Sequence, residues 1–526
     1  MDPEQIALLR DPALYPEHPE VVEILQTHLS VVVLGGASAY KFKKSIRLPF
    51  ADFSEPERRR WFCEEEVRLN RRLCPEIYEG VVGVRRDPTG RLRFGGEGEL
   101  VDWAVKMRRM PGERMMDIRL AEGSVTESEI AAVARRVLEF HRRADRGREV
   151  AAAGDPVKLR SFALANFSET RGRFSENLHR ALEDTTRSEF DRLLPLLQER
   201  AAAGCLVDGH GDLHARNICL LDPPAIYDCI EFNPSLRCGD TALEHAFLVM
   251  DLRFRGHPDL AGAYLRIVLA ESGDSTMASV VPLFACYRAM VRAKISSITA
   301  GEGEFSPAER LAAAEEAHRY LRLAAAFAIE GKTPRWLLCC GLPASGKSVV
   351  AAALAESSGA AWSVLSSDRV RKDLAGVSPL ERLAPEFYSA ASSEKTYREL
   401  LARAVAATTP GAVVVIDGNF RTREQRARFR EAARSHGVCF DLLFLDPGET
   451  IALERLRLRA DAGQSESDAG PDVYQTLKQE FELPESDEAD HFLHLSGVGG
   501  VGEIVDAVFA QWLNAIRASD SRPIGS

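Results

Sequence analysis

The sequence predicts two domains of different class, an α+β domain followed by an α/β domain with a parallel sheet. Three observations carry that prediction. Strand-like alternation is confined to the early residues, around Gly35-Gly36 and again between 80 and 107, and gives way to helical periodicity from about residue 126. The stretch Gly331-Lys332-Thr333-Pro334 then breaks the pattern like a linker. Beyond it, apolar strands alternate with helices, beginning with a glycine-rich strand–loop–helix unit over 336–354.

In chain order, residues 28–46 read as two strands around Gly35-Gly36, and 55–73 as a helix with Trp61, Phe62, Val67, Leu69 and Leu73 at its apolar positions. Strands over 80–85 and 100–107 flank a Gly-rich polar turn, and Met107-Arg108-Arg109-Met110-Pro111-Gly112 ends the second. The helical stretch that follows is interrupted only at 207–228, where loop, strand and turn alternate, and helices fill 240–330. After the linker, strands at 413–416 and 440–445 alternate with helices; 460–471 is a polar loop and the last residues fray. The expected domains are 1–330 (a strand-rich lobe at about 20–110 and a helical lobe at about 111–328) and 331–518, with a tail over 519–526.

Composition bounds the setting. The 526 residues are 45% hydrophobic and 28% charged, with a net charge of −11 from 67 basic and 78 acidic residues, which argues against a dedicated nucleic-acid binder. No run of 18 apolar residues exists, so no membrane span is expected. The acidic start has no apolar signal core, and the ten cysteines form no C-x-x-C pair; both readings point to a cytoplasmic protein with reduced thiols.

Gly341-Leu342-Pro343-Ala344-Ser345-Gly346-Lys347-Ser348 fits G-x-x-x-x-G-K-[ST] between an apolar strand and a helix. Backbone N–H groups of such a loop and the helix N-terminus enclose phosphate oxygens. Gly341, Ser345, Gly346 and Lys347 are therefore ATP-binding candidates, and the Ser348 hydroxyl is a Mg²⁺ ligand. Asp368 is expected at the end of the next strand, placed to accept a hydroxyl proton, with helix N-capping as its plain alternative. Arg371, one turn on, would clamp the transferring group. Asp417 closes an apolar strand as a Mg²⁺-associated carboxylate, and Arg455 and Arg459 share a helix face as lid cations over the phosphates, or else as a solvated face. These features resemble the small P-loop kinases over roughly 335–515, the group containing gluconate kinase, chloramphenicol phosphotransferase and the 5′-hydroxyl polynucleotide kinases. The matching parts are Asp368-x-x-Arg371, Asp417-Gly418-Asn419-Phe420 and the lid arginines. The resemblance implies γ-phosphate transfer to a hydroxyl.

Upstream, His210-Gly211-Asp212-Leu213-His214-Ala215-Arg216-Asn217, followed by an apolar strand and Tyr227-Asp228, has the spacing of a kinase catalytic loop. Asp212 would accept the proton of a substrate hydroxyl, Asn217 and Asp228 would hold Mg²⁺, and His210 would support the loop. This half resembles the aminoglycoside phosphotransferase and choline kinase superfamily, a protein-kinase-like fold, over about 20–325. The resemblance implies a strand lysine paired with a helix glutamate that together set the ATP phosphates. Lys41 and Lys43 lie on one strand face and Lys41 is favoured, with Glu66 as partner. It also makes 107–110 the adenine hinge and Asp240 a support of the catalytic loop. Leu34-Gly35-Gly36-Ala37-Ser38 departs from the G-x-G-x-x-G pattern of phosphate-covering loops.

The whole chain thus resembles the bacterial family called bifunctional aminoglycoside phosphotransferase/ATP-binding protein: an α+β protein-kinase-like domain before an α/β P-loop kinase domain. Phe62-Cys63-Glu64-Glu65-Glu66 and Tyr227-Asp228-Cys229-Ile230-Glu231-Phe232-Asn233 carry that resemblance. The implied activity is ATP-dependent, Mg²⁺-dependent phosphoryl transfer to a small-molecule hydroxyl acceptor such as a sugar, amino sugar or aminoglycoside. Glu231, Glu244 and Asp251 are candidates for lining a cleft that takes a cationic acceptor, with surface charge as their plain reading. Two rivals make different predictions. A 5′-hydroxyl polynucleotide kinase would need a basic groove at Arg421, Arg423, Arg426, Arg428 and Arg430, residues that more simply solvate a helix. A nucleotide-gated regulator would bind ATP without transfer to any small alcohol.

Overall fold

The computed structural model describes residues 3–48, 51–303, 305–462 and 470–520. Packing separates the chain into two compact units. One comprises Met1–Ser161, Leu193–Arg255 and Asp259–Val281; the other comprises Phe162–Arg192, Gly256–Pro258 and Pro282–Ser526.

The first unit holds a six-stranded antiparallel sheet of β1 (Val22–Gln26), β2 (Ser30–Gly35), β3 (Ser38–Lys43), β4 (Tyr78–Arg86), β5 (Leu92–Phe94) and β6 (Glu99–Arg108), in the order β1-β2-β3-β6-β4-β5. Two residues, Gly36 and Ala37, connect β2 to β3, and Gly36 takes φ 63°, which glycine adopts without strain. The two-residue period of β3 sorts its side chains. Tyr40 and Phe42 enter an apolar cluster with Val31, Val33 and Val84, whereas Lys41 and Lys43 both reach Glu66, on the helix that crosses the other face.

That helix, α1 (Pro56–Asn70), begins with proline in its first turn, where the fixed φ helps and the missing N–H costs nothing. Cys63 and Val67 pack against Ala39, Val105 and Met107 of the sheet. Trp61, expected on the apolar face, is instead 56% exposed; buried Arg59 occupies the inward position, bonded to Asp102 at 2.8 Å. Further on, the short strand Leu206–Asp208 pairs with Cys238–Asp240, and Ile218–Cys219 with Ala225–Ile226. Helix α2 (Thr241–Phe254) follows, capped by Asp240, which accepts from the Ala242 N–H at 2.8 Å.

The second unit carries a five-stranded parallel sheet: β7 (Arg335–Cys340), β8 (Ser363–Ser366), β9 (Val413–Asp417), β10 (Cys439–Leu445) and β11 (His491–Leu495), ordered β8-β9-β7-β10-β11. The central strands are buried along their length, as strands covered on both faces must be. Helices α3 (Lys347–Ser357), α4 (Ser367–Ala375), α5 (Arg423–Ser435) and α6 (Glu449–Ala462) lie between them in sequence. Helix α6 runs three residues into the expected polar loop; of that loop, 463–469 lie outside the described residues, as does 521–526 of the expected tail.

All ten cysteines are free, eight of them buried. Among the described residues, no helix is long and apolar enough to cross a membrane.

Candidate active sites

In the first unit the strand lysines and α1 build a buried ion network. Lys41 Nζ lies 2.9 Å from Glu66 Oε1 and also contacts Asp228. Lys43 Nζ lies 2.5 Å from Glu66 Oε2 and contacts Glu231. The network separates the two lysines that share a strand face: Lys41 touches Asp228, while Lys43 is sealed beneath with Glu231. Burial works against the charge on Lys41, but Asp228, Glu66 and Glu231 outweigh it and hold its pKa well above the usual lysine value. Burial would likewise raise Glu66; the two lysines reverse that and bring it down to about 2.

The residues expected to form a catalytic loop converge beside this network. The Ile218–Cys219/Ala225–Ile226 hairpin sets Asn217 next to Tyr227, whose N–H donates to the Asn217 carbonyl at 3.0 Å. The Asn217 Nδ2 group donates to Asp212 Oδ2 at 3.2 Å, and His214 Nε2 lies 3.3 Å from the same oxygen. His210 is buried, its Nε2 bonded to the Tyr227 carbonyl at 2.9 Å. Burial lowers its pKa, which suits a support rather than a proton carrier at neutral pH. Gly211 takes φ 84°, and a Cβ there would sit 2.9 Å from the Leu236 carbonyl oxygen, so the turn that presents Asp212 requires glycine.

Three carboxylates proposed for an acceptor cleft serve elsewhere, because each is buried and engaged. Glu231 pairs with Lys43. Glu244 accepts from the backbone N–H groups of His210 and Gly211 (the latter at 2.7 Å) and from His141 Nε2 at 2.7 Å. Asp251 accepts from the Ala215 N–H at 2.8 Å and from Arg255 at 3.0 Å. Glu244 and Asp251 therefore hold the 210–217 loop through its backbone. Asp240, expected to support that loop, bonds instead to Arg200 at 2.6 Å, and Arg200 also holds Asp274 at 2.7 Å.

In the second unit the glycine loop closes over the end of β7. Gly341 takes φ 147°, and a Cβ there would lie 2.5 Å from the Leu445 carbonyl oxygen. Gly346, at φ 101°, caps α3. Lys347 turns back into the loop, donating to the Leu342 carbonyl at 2.8 Å and to Ser345 Oγ at 3.3 Å. Burial lowers its pKa against the pull of Asp417 and Asp368. The Ser348 hydroxyl donates to Asp417 Oδ2 at 2.6 Å. Arg455 donates to the Ala344 carbonyl at 3.2 Å and the Gly497 carbonyl at 2.9 Å, so it reaches the loop; the side chain of Arg459 lies outside the described residues.

Two expectations need correction. Strand β8 stops at Ser366, which caps α4, so Asp368 neither ends the strand nor caps the helix and sits in the helix's first turn. Arg371 is not held at the glycine loop: its guanidinium donates to the Phe387 carbonyl at 2.7 Å and lies over the Tyr388 ring at 4.9 Å. Four of the five arginines of the proposed basic groove are paired with carboxylates, and the fifth bonds a backbone carbonyl. Arg421 pairs with Glu480 at 2.5 Å, Arg423 with Glu485 at 2.9 Å, buried Arg426 with Glu488 at 2.7 Å and Arg428 with Glu394 at 2.8 Å; Arg430 donates to the Asp487 carbonyl at 2.6 Å.

An AAA domain family model matches residues 337–484. Among solved structures, the chain is similar to a gluconokinase from Sinorhizobium meliloti 1021 (20% identity, TM-score 0.27, covering 36% of this chain and 99% of that one). It is also similar to a choline/ethanolamine kinase family protein from Mesorhizobium loti (11%, 0.38, 61% and 94%) and to aminoglycoside 2′-phosphotransferase-IIIa (14%, 0.38, 60% and 98%). Uncharacterized protein Rv2004c of Mycobacterium tuberculosis and uncharacterized protein Mb2027c of Mycobacterium bovis are each 33% identical to it over 466 residues, which span 87% of this chain and 89% of theirs. Identity of 33% over 466 residues, spanning most of both chains, makes this protein a member of the Rv2004c family.

Proposed function

We propose that the protein is an ATP-dependent phosphotransferase with two Mg·ATP sites, one in the kinase-like half (1–330) and one in the P-loop half (331–518), each phosphorylating a hydroxyl of a small molecule. The observation that carries this reading is the paired arrangement of carboxylates beside phosphate-directed lysines: Asp228 against Lys41, and Asp417 on the Ser348 hydroxyl next to Lys347. The donors fit the groups they would take. Asn217 with Asp228, and Ser348 with Asp417, offer hard oxygen ligands, the kind Mg²⁺ prefers. The cradle at Gly341 and Gly346 leaves no room for a Cβ at its tightest point, as close backbone approach to phosphate requires. When bound, Mg²⁺ neutralises charge that develops on the transferring phosphoryl group.

The protein's own residues supply positioning and proton acceptance. Asp212, held by Asn217 and His214, accepts the acceptor hydroxyl's proton on its carboxylate. Lys41, kept charged by its carboxylate neighbours, orients the triphosphate. In the second site Lys347 exchanges the Leu342 carbonyl for phosphate oxygens, Asp368 takes the hydroxyl proton, and Arg455 closes on the loop. Arg371 acts there by fixing the 385–388 segment. Ten unbridged cysteines suit a cytoplasmic setting, where thiols stay reduced. Paired arginines on and around α5 remove the reason to favour a polynucleotide acceptor.

The test is ADP release by the intact chain with sugars, polyols, amino sugars and oligonucleotides as acceptors, alongside Asp212→Asn and Lys347→Ala. Acceptor-dependent turnover should fall in each variant and vanish in the double variant. Turnover that persists in the double variant refutes the site assignment, and calorimetry that finds fewer than two nucleotide equivalents refutes the two-site reading.

A further inference from the structure

A second cluster of chemistry-bearing side chains lies at the opposite end of the parallel sheet, where β10 and β11 begin. The register places Asp441 beside His491. Cys439, two residues before Asp441 on β10, shares its face. His491 Nδ1 lies 2.7 Å from Asp441 Oδ1, Cys439 Sγ lies 3.6 Å from Asp441 Oδ1, and Sγ lies 3.7 Å from His491 Nδ1.

We propose that Cys439, Asp441 and His491 form a binding site for a zinc-type divalent ion, separate from both nucleotide sites. With bonds of about 2.3 Å to sulfur and about 2.0–2.2 Å to nitrogen and oxygen, tetrahedral geometry puts neighbouring ligand atoms roughly 3.3–3.6 Å apart. The two sides of the triangle that involve sulfur are already close to that value. The third is shorter because Asp441 and His491 share a hydrogen bond; it opens by roughly 0.6 Å when that bond is replaced by two metal bonds. Sulfur with imidazole selects zinc-like ions over Mg²⁺, which prefers oxygen.

The surroundings support a built site. Buried Arg335 donates to Asp441 Oδ2 at 2.8 Å, so that carboxylate presents its other oxygen to the cluster, an outer-shell restraint of the kind metal sites use. Arg335 Nη1 also lies 3.3 Å from Cys439 Sγ. Its positive charge opposes a dication, and the affinity is accordingly lower than at an all-thiolate site. The side chain of His491 is 30% exposed, which leaves a route for the ion and a fourth position for water. Binding forms metal–sulfur, metal–nitrogen and metal–oxygen bonds. The Cys439 thiol proton and the His491 Nδ1 proton that bonds Asp441 are both displaced to solvent, and the imidazole binds neutral with its remaining or newly taken proton on Nε2; nothing is oxidised.

The full-length protein, stripped by a chelator and titrated with Co²⁺, tests the proposal. One equivalent should produce a thiolate-to-cobalt charge-transfer band with tetrahedral visible bands. Zn²⁺ should abolish both, and Mg²⁺ with ATP should leave them unchanged. Cys439→Ser and His491→Ala should lose the charge-transfer band, whereas Cys205→Ser, at the other partly exposed cysteine, should keep it. Absence of the band in the wild-type protein at one equivalent, or its survival in Cys439→Ser, overturns the proposal. The wild-type titration decides the matter even if a variant fails to fold.

Discussion

At Lys41 the groups that set the ammonium's charge come from across the chain: Glu66 lies on α1, and Asp228 and Glu231 lie nearly two hundred residues away in sequence. At Lys347 the partners are the glycine loop itself, Leu342 and Ser345, within five residues. The first site is a buried network of opposite charges; the second is a backbone cradle with one desolvated lysine whose pKa burial lowers. The contrast separates two ways to hold a polyanion. One depends on tertiary packing to assemble charge, the other on local φ angles that aim N–H groups. Removing a charged side chain should therefore cost the first site stability, and should cost the second site binding alone.

The largest effect expected from that contrast is at Glu66. Glu66→Ala leaves Lys41 and Lys43 without their shared buried partner and should cost about 3–5 kcal/mol in urea unfolding; a loss below 1 kcal/mol would dissolve the distinction between the sites. Next, Lys347→Ala should reduce turnover at the P-loop site by roughly 10²–10³-fold with no shift in the unfolding midpoint, read by ADP release in an Asp212→Asn background. Gly341→Ala should lower stability by about 1–3 kcal/mol through its left-handed φ and abolish nucleotide binding in that half, as followed by calorimetry. A pH series sharpens the first site. Burial raises Glu244, but its hydrogen bond from His141, the charges of His141 and His210 and the Gly211 N–H bring its pKa from 4.5 down to about 2. Its stabilising contribution is then complete above about pH 4.5 and lost as pH falls toward 2, and Glu244→Gln should flatten that part of the unfolding profile. The smallest effect belongs to Arg421→Ala, which removes a half-exposed pair with Glu480. Stability should change by less than about 1 kcal/mol, with no change in the salt dependence of oligonucleotide binding.

The same contrast explains what the sequence disclosed. The glycine loop, Ser348 and Asp417 were legible because contiguous residues and a single strand end define them. The meeting of Asp212 and Asn217 was legible for the same reason, since they lie five residues apart and bond directly. The choice between Lys41 and Lys43 was not, because strand periodicity puts both on one face and only Asp228 and Glu231 tell them apart. Glu231, Glu244 and Asp251 misled because a carboxylate's partner, not its presence, decides whether it is surface charge, cleft or buttress. Arg371 went astray because one helical turn fixes a direction along α4 but not which neighbour meets the guanidinium. Cys439, Asp441 and His491 escaped notice since about fifty residues separate His491 from the other two, and only strand register joins them.

The contact between Lys41 and Asp228 has a thermodynamic corollary. Each group is the other's counter-ion. A triphosphate arriving alone would draw the lysine away and strand a bare carboxylate beside more negative charge. A dication arriving alone would claim the aspartate and strand the ammonium. Arriving together they compensate both, so each should tighten the affinity of the other by the same factor. The pocket would in this way prefer the complexed nucleotide to the free one although no side chain reads the complex as a whole.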